Sequence, residues 1–348
     1  MNVHLMRFVE VERPGGPDML RIVEGQTPPA GEGEVLIRVV AAGVNRPDIQ
    51  QRRGLYPPPL GASHVLGLDV AGIVERVGAN VNGLAEGDAV CALTNGGGYA
   101  QYCTVPAVQC LPVPKGLSFV EAASLPEVFF TAWNNLIWLG CLDEGESLLI
   151  QGGSSGVGLA GIQIARILRH ATVYVTAGTA EKQKVCTDLG AAMAVDYRGP
   201  WDQQIREFHG GEGIDVILDA QAGPYTQRQL DLLNFDGRLV LIASHLAETT
   251  TVNTRSLVRR RLTMTGSTLR PRPPAYKGRL AQELLAHVWP LIEAGQIVTR
   301  VHSVLPLEEV AAAHEILDAN RQIGKVVLAV DQGLAHSVPS SRQNGPFP

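Results

Sequence analysis

The chain has 348 residues, is 45% hydrophobic and 18% charged, and contains 38 glycines, which suits an ordinary α/β protein with room for two cores. A formal charge of −5 and a pI near 6.0 exclude the basic footprint of a nucleic-acid-binding protein. No apolar stretch of membrane-spanning length occurs, and the first residues, MNVHLMRFVEVE, lack the cationic-then-apolar order of a signal peptide. Five scattered cysteines (Cys91, Cys103, Cys110, Cys141, Cys186), odd in number, fit reduced thiols and a cytoplasmic setting better than a disulfide framework.

From the start to about residue 125 the chain reads as β-rich. Glu34 to Val40, Ala71 to Val77 and Asp88 to Leu93 are short apolar or alternating runs punctuated by glycine, proline and asparagine. After about 126, strand-like aliphatic runs alternate with helix-length segments. Strands are expected at Ser147 to Gln151, Thr172 to Thr176, Ala192 to Asp196, Ile214 to Asp219 and Gly237 to Ile242. Helices are expected at Val157 to Leu168, Ala180 to Leu189, Trp201 to Phe208 and Thr226 to Leu233. That alternation predicts a parallel sheet with helices on both faces. The run Arg259-Arg260-Arg261 reads as a solvated helix end. Beyond 270 come a helix over Tyr276 to Glu293, a strand at Val301 to Leu305, a helix over Leu307 to Ala319 and a strand at Lys325 to Val330. The segment 333–348 is expected to be a flexible tail.

Chemistry first shows at Gly152-Gly-Ser-Ser-Gly-Val-Gly158, set between a strand and a helix. Glycines there allow a sharp turn and a backbone close to a pyrophosphate, whose charge then meets the helix N-terminus. An NAD site usually carries a carboxylate about 20 residues further on, where it bonds the ribose 2′-hydroxyl. Here the place reads Val175-Thr-Ala-Gly178-Thr179, with no carboxylate and with Lys182 just beyond. The gap leaves room for a 2′-phosphate and the ammonium would attract it, so NADPH is expected as cofactor. Glu181, opening the next helix, favours the helix dipole or a ribose contact.

The stretch Gly145 to Arg166 resembles the signature of the zinc-free quinone oxidoreductase (zeta-crystallin-like) branch of the medium-chain dehydrogenase/reductase superfamily. Asn45-Arg-Pro-Asp48, Gly54-Leu-Tyr-Pro-Pro-Pro59, Gly67-Leu-Asp-Val-Ala-Gly72, Gly96-Gly-Gly-Tyr-Ala-Gln101 and Ile323-Gly-Lys-Val-Val327 agree with it. The similarity runs over nearly all of residues 1–331 and is nearest to the p53-inducible quinone oxidoreductase group. It implies a GroES-like β domain, 1–125 and 270–332, with a Rossmann dinucleotide-binding domain, 126–269, inserted between its halves. It places 2′-phosphate contacts at Gly178, Lys182 and Tyr197, and pyrophosphate contacts at Gly153, Ser155, Gly156 and Val157. Nicotinamide-side positions fall on Asn45, Tyr56 and Thr131, with less specific contacts at Ser244 and Lys325. It also implies a homodimer that pairs sheets through the edge strand near Leu262 to Ser267.

No metal is expected. The superfamily's first zinc-ligand position reads Asn45, and its Gly-His-Glu motif reads Gly67-Leu68-Asp69. His64 lies nearby without thiol partners and reads as a loop or packing residue. Without a Lewis acid the acceptor must already be electrophilic, which points to quinones or, alternatively, enones and enoyl thioesters. Tyr56 and Asn45 are the candidate catalytic residues. The Tyr56 phenol either bonds the acceptor oxygen or packs over the cofactor ring, and Asn45 fixes the cofactor amide or a water. Asp48 reads chiefly as a helix cap, and Cys141 and Cys186 as inert.

Overall fold

Residues 5–340 are described by the computed structural model, and the chain divides into two units. One comprises the chain up to Phe130 and from Arg270 onward; the other is Thr131–Leu269.

In the Thr131–Leu269 unit, six parallel strands form one sheet: Ser147–Gln151, Thr172–Thr176, Met193–Val195, Ile214–Asp219, Leu233–Leu241 and Thr263–Gly266. Their spatial order is third, second, first, fourth, fifth, sixth. Both faces carry helices, so the central strands are continuous apolar runs; every residue of Ser147–Gln151 is buried. Leu149, Ile217 and Leu239 from three strands meet Trp201 and Ile205 from the helix Trp201–Phe208 in one core. Full burial of each such aliphatic side chain contributes roughly 1.5–3 kcal/mol. Strand order reverses beside the first strand, and ligands of such sheets bind beyond the carboxyl ends of the strands at that point. The turn Gly152–Gly158 follows the first strand there.

The other unit is built on a mostly antiparallel sheet whose central strand, Glu34–Val44, pairs with Asp69–Val77, Tyr102–Pro106 and Lys325–Ala329. Val326 stands opposite Val44, and Val301–Pro306 pairs in parallel with Lys325–Ala329, so the C-terminal segment completes the sheet that the N-terminal segment begins. Inward residues such as Val35, Ile37, Val70, Val90 and Leu328 make its core. The α/β fold class is the one expected.

Several expectations need correction in detail. The two units divide at 130/131, within the helix Pro126–Trp133, and at 269/270. The helix expected over Tyr276 to Glu293 is two, Pro274–His287 and Trp289–Glu293, because Pro290 cannot donate into a continuous helical ladder. The segment from 333 is not all a loose tail. Phe119 N donates to Ser337 O (3.3 Å) and Val120 N to Ala335 O (3.0 Å), and Ala335 is fully buried, so these bonds tie the chain down. Residues 341–348, the rest of the expected tail, lie outside the described residues. Arg259 and Arg260 end the helix Thr254–Arg260, with Arg261 as its left-handed cap.

Candidate active site

In the inserted unit the glycine-rich turn is held from both sides. Gly152 N donates to Thr176 Oγ1 (3.1 Å), Gly153 N to Thr176 O (2.9 Å), and Thr176 Oγ1 to Gln151 Oε1 (2.8 Å). The second strand thereby fixes the turn that follows the first. Gly152 has φ +82°, a conformation few side chains tolerate. A Cβ on Gly158 would lie 2.5 Å from Gly153 O and 2.6 Å from Gly152 O, so only glycine lets the helix Gly156–Arg169 start this close to the turn. Ser155 caps that helix, its Oγ accepting from Gly158 N (3.0 Å). Ser155 itself is exposed, and Gly156 and Val157 are the first two helical residues, half-buried. This arrangement fits a pyrophosphate.

A second cluster forms beyond the second strand. Gly178 lies against Tyr197: a Cβ there would meet the ring at 2.6 Å and the phenol oxygen at 2.8 Å. Thr179 caps the helix Ala180–Asp188 by accepting from Lys182 N (3.2 Å), and the Lys182 side chain is buried. Arg198, not singled out from sequence, donates to Gly178 O and to both Asp196 oxygens, and its guanidinium carbon sits 5.7 Å from the Tyr197 ring centre. The signal was available in Val195-Asp-Tyr-Arg198, a basic residue beside the tyrosine. Gly178, Lys182, Tyr197 and Arg198 thus come from two adjacent βα segments, with Gly178 and Tyr197 in direct contact. Ser244 is exposed and donates to Ala247 O. Thr131 lies in the helix Pro126–Trp133 and accepts at its carbonyl from Asn135 Nδ2 (2.8 Å).

The other unit holds a buried polar network. Lys325 Nζ donates to Asn45 Oδ1 (2.5 Å) and Asp69 Oδ2 (2.7 Å), while Asn45 Nδ2 donates to Asp69 Oδ2 (2.9 Å). Asp69 Oδ1 accepts from Glu127 N (2.5 Å). The amide of Asn45 and the ammonium of Lys325 are therefore both engaged inside the protein. Beside them, Asp48 accepts from Asn45 N (2.8 Å), Gly67 N (3.0 Å) and the Tyr99 hydroxyl (3.1 Å). Asp48 does cap the helix Arg46–Arg52, and from full burial. Burial raises its carboxyl to about 6 against the pull of those hydrogen bonds. Burial, then the Asp48 charge, raises the Tyr99 phenol well above its ordinary value. Tyr56 stands apart, half-buried in the loop after this helix, its ring 5.5 Å from the Arg270 guanidinium carbon. Burial raises its phenol pKa and Arg270 opposes the rise.

Comparison with known proteins now adds family to geometry. Residues 31–115 match the alcohol dehydrogenase GroES-like domain, and residues 156–286 the zinc-binding dehydrogenase family. Human quinone oxidoreductase is 34% identical over 328 residues, covering 93% of this chain and 98% of that protein. The chain belongs to the quinone oxidoreductase branch of the medium-chain dehydrogenase/reductase superfamily, and it is an oxidoreductase. A solved mycobacterial protein complexed with NADPH is 31% identical with a TM-score of 0.84, covering 93% of this chain and 99% of that one. The CurK enoyl reductase is 27% identical with a TM-score of 0.82 over the same shares.

Zinc, which the second family's description implies, does not fit these residues. At the superfamily's cysteine position stands the Asn45 amide, bonded to an ammonium; at its histidine position stands Leu68, buried and apolar. Beside them Lys325 Nζ bonds both Asn45 and Asp69, so Asp69 already has a partner of opposite charge. His64 is exposed, its carbonyl accepting from Gln51 Nε2 (2.9 Å). Among the described residues, no three His, Cys, Asp or Glu side chains gather around one point. All five cysteines are free thiols, and no described helix is long and apolar enough to cross a membrane. Burial pushes Cys186 up to about 12, which makes it a poor nucleophile.

Proposed function

We propose that this oxidoreductase is an NADPH-dependent, metal-free quinone reductase. The Asn45–Asp69–Lys325 cluster carries the reading. Where zinc relatives place a Lewis acid, this chain places an ammonium already bonded to its neighbours, so its acceptor must be electrophilic without metal help. Bound NADPH supplies a hydride from its nicotinamide ring. The turn Gly152–Gly158, with Ser155, Gly156 and Val157 at the helix start, would hold the pyrophosphate. Gly178, Lys182, Tyr197 and Arg198 would hold the 2′-phosphate, since position 178 itself carries no carboxylate, Tyr197 lies against it and the Arg198 guanidinium, paired with Asp196, bonds its carbonyl. Tyr56 would present its phenol to the acceptor or pack over the nicotinamide, with Thr131 and Ser244 as further contacts. Asn45 and Lys325 act by fixing the wall of the site, because their polar atoms are occupied internally.

A second reading, reduction of enones or enoyl thioesters, is favoured by the likeness to the CurK enoyl reductase. Turnover of NADPH with 1,4-benzoquinone, 9,10-phenanthrenequinone, 2-hexenal and crotonyl-CoA separates the two. The quinones should be the better substrates, and crotonyl-CoA turnover far above every quinone would replace the first reading with the second. We further propose a cytoplasmic homodimer, in line with the free thiols. The edge strand Thr263–Gly266, exposed in three of its four residues, would be its pairing edge.

A further inference from the structure

Arg270 and Lys277 are two neighbouring buried cations outside the Lys325 cluster. Arg270 is 6% exposed and donates through Nε (2.9 Å) and Nη2 (2.7 Å) to the main-chain oxygen of Asn95. Both bonds leave from one edge of the guanidinium. On the other side Nη1 is buried and makes no hydrogen bond. Lys277 is fully buried, its Nζ donating to Asn95 Oδ1 (2.6 Å) and Arg270 O (3.2 Å). Burial, then the Arg270 charge, brings Lys277 down to about 8. Among the described residues, the hydrogen bonds of these two cations go to the neutral oxygens of Asn95 and Arg270. The carboxylate that acts on Arg270, Asp48, has its own oxygens taken by Asn45, Gly67 and Tyr99.

Buried charge without a bonded counterion is costly, and an unmet donor of a buried arginine demands a partner. The place of this donor suggests which partner. The guanidinium lies against the ring of Tyr56, in an irregular loop between the exposed Leu55 and Leu60. A side chain so placed can turn aside and admit a planar acceptor against the cation.

We propose that Arg270 Nη1 binds the acceptor's carbonyl oxygen as it becomes an oxyanion, with Lys277 behind it as a second positive charge. The inference rests on the reductase reading. Hydride from the reduced nicotinamide forms a C–H bond at a carbon conjugated to the carbonyl. The π electrons move onto the carbonyl oxygen, and the resulting oxyanion takes a proton from the Tyr56 phenol or from water. The acceptor gains two electrons and the nicotinamide loses two. A fixed donor in a water-poor site stabilises that oxygen far better than solvent does. Arg270 then performs the polarising task without a metal.

The test compares Arg270→Lys and Arg270→Gln with the unaltered protein for Tm, NADPH affinity by fluorescence, and kcat on quinones and enones. Tm and NADPH affinity should hold while kcat falls roughly 10²-fold, the typical loss for one oxyanion donor. The fall should be larger for enones than for the more electrophilic quinones. Unchanged kcat, an equal fall for all acceptors, or lost NADPH affinity with normal kcat would each overturn the role of Arg270 and leave the reductase reading standing. If the unaltered protein reduces no quinone and no enone, that reading fails instead. A measurement on the unaltered protein guards against misfolded variants. 4-Nitrophenol should bind as its coloured anion below its solution pKa and be displaced by quinone, whereas binding as the neutral phenol contradicts the proposal.

Discussion

Replacing His314 with glutamine should remove a large part of the protein's sensitivity to acid. His314 is fully buried, with Nδ1 3.2 Å from Arg52 Nη1 and Nε2 3.3 Å from the Tyr99 hydroxyl. A guanidinium only donates, so Nδ1 must be the acceptor and Nε2 must carry the proton. Nε2–H then donates to Tyr99, which is left to donate to Asp48. The ring has no room for a second proton. Burial first, then the Arg52 charge, drives it from 6.5 down to about 3, with Asp318 opposing. In the unfolded chain the same ring protonates below 6.5. The stability contributed by the neutral ring is therefore complete above pH 6.5 and is lost as pH falls below it, at about 1.36 kcal/mol per unit. At pH 4.5 the loss reaches about 2.7 kcal/mol on that slope. Asp48 works in the opposite sense. Its folded carboxyl, near 6 rather than 3.8, gains a proton that the unfolded chain does not, so stability rises as pH falls between those values. Both proteins share that term, and the difference between them isolates His314. Urea unfolding of each protein from pH 7 to 4.5 is the assay. Parallel stability profiles would show that the His314 ring takes up a proton in the fold, and the tautomer chain would fall with it.

Three further outcomes follow from the same geometry. Lys325→Met strands Asp69, fully buried, without its ammonium, and should cost about 3–5 kcal/mol in unfolding experiments, as broken buried pairs do; a loss below 1 kcal/mol would mean the pair is already solvated. Gly158→Ala drives a methyl into the carbonyls of Gly152 and Gly153, and should lower stability by about 1–3 kcal/mol while abolishing NADPH binding in fluorescence titration. Lys182→Ala and Arg198→Ala should each weaken NADPH roughly tenfold or more, the worth of one charged hydrogen bond, and leave NADH nearly unchanged. Equal losses for both cofactors would remove the 2′-phosphate assignment.

What the sequence made legible was local. The strand, turn and helix around Gly152–Gly158 follow one another in the chain, so apolar periodicity and glycine placement sufficed to find them. The capping role of Asp48 spans three residues and was equally readable. Asn45 and Lys325 meet across 280 positions of sequence, Lys277 and Asn95 across 182, and Arg52 and His314 across 262. Such pairings arise because the C-terminal segment returns to the sheet begun by Glu34–Val44, and no periodicity within either segment encodes them. Asn45 and Lys325 were expected to face the cofactor, and the bond between them could not be read from either segment. Arg270 escaped notice for the same reason: its partners Asn95 and Tyr56 lie far from it in the chain.

The central claim is that hydride reaches a quinone from NADPH without metal assistance. Steady-state oxidation of NADPH by 9,10-phenanthrenequinone, after exhaustive dialysis against a chelator and with NADH in parallel, tests it most directly. The account predicts full activity in the chelated protein and a clear preference for NADPH. Activity that vanishes on chelation and returns with zinc, or equal use of NADH, would contradict it.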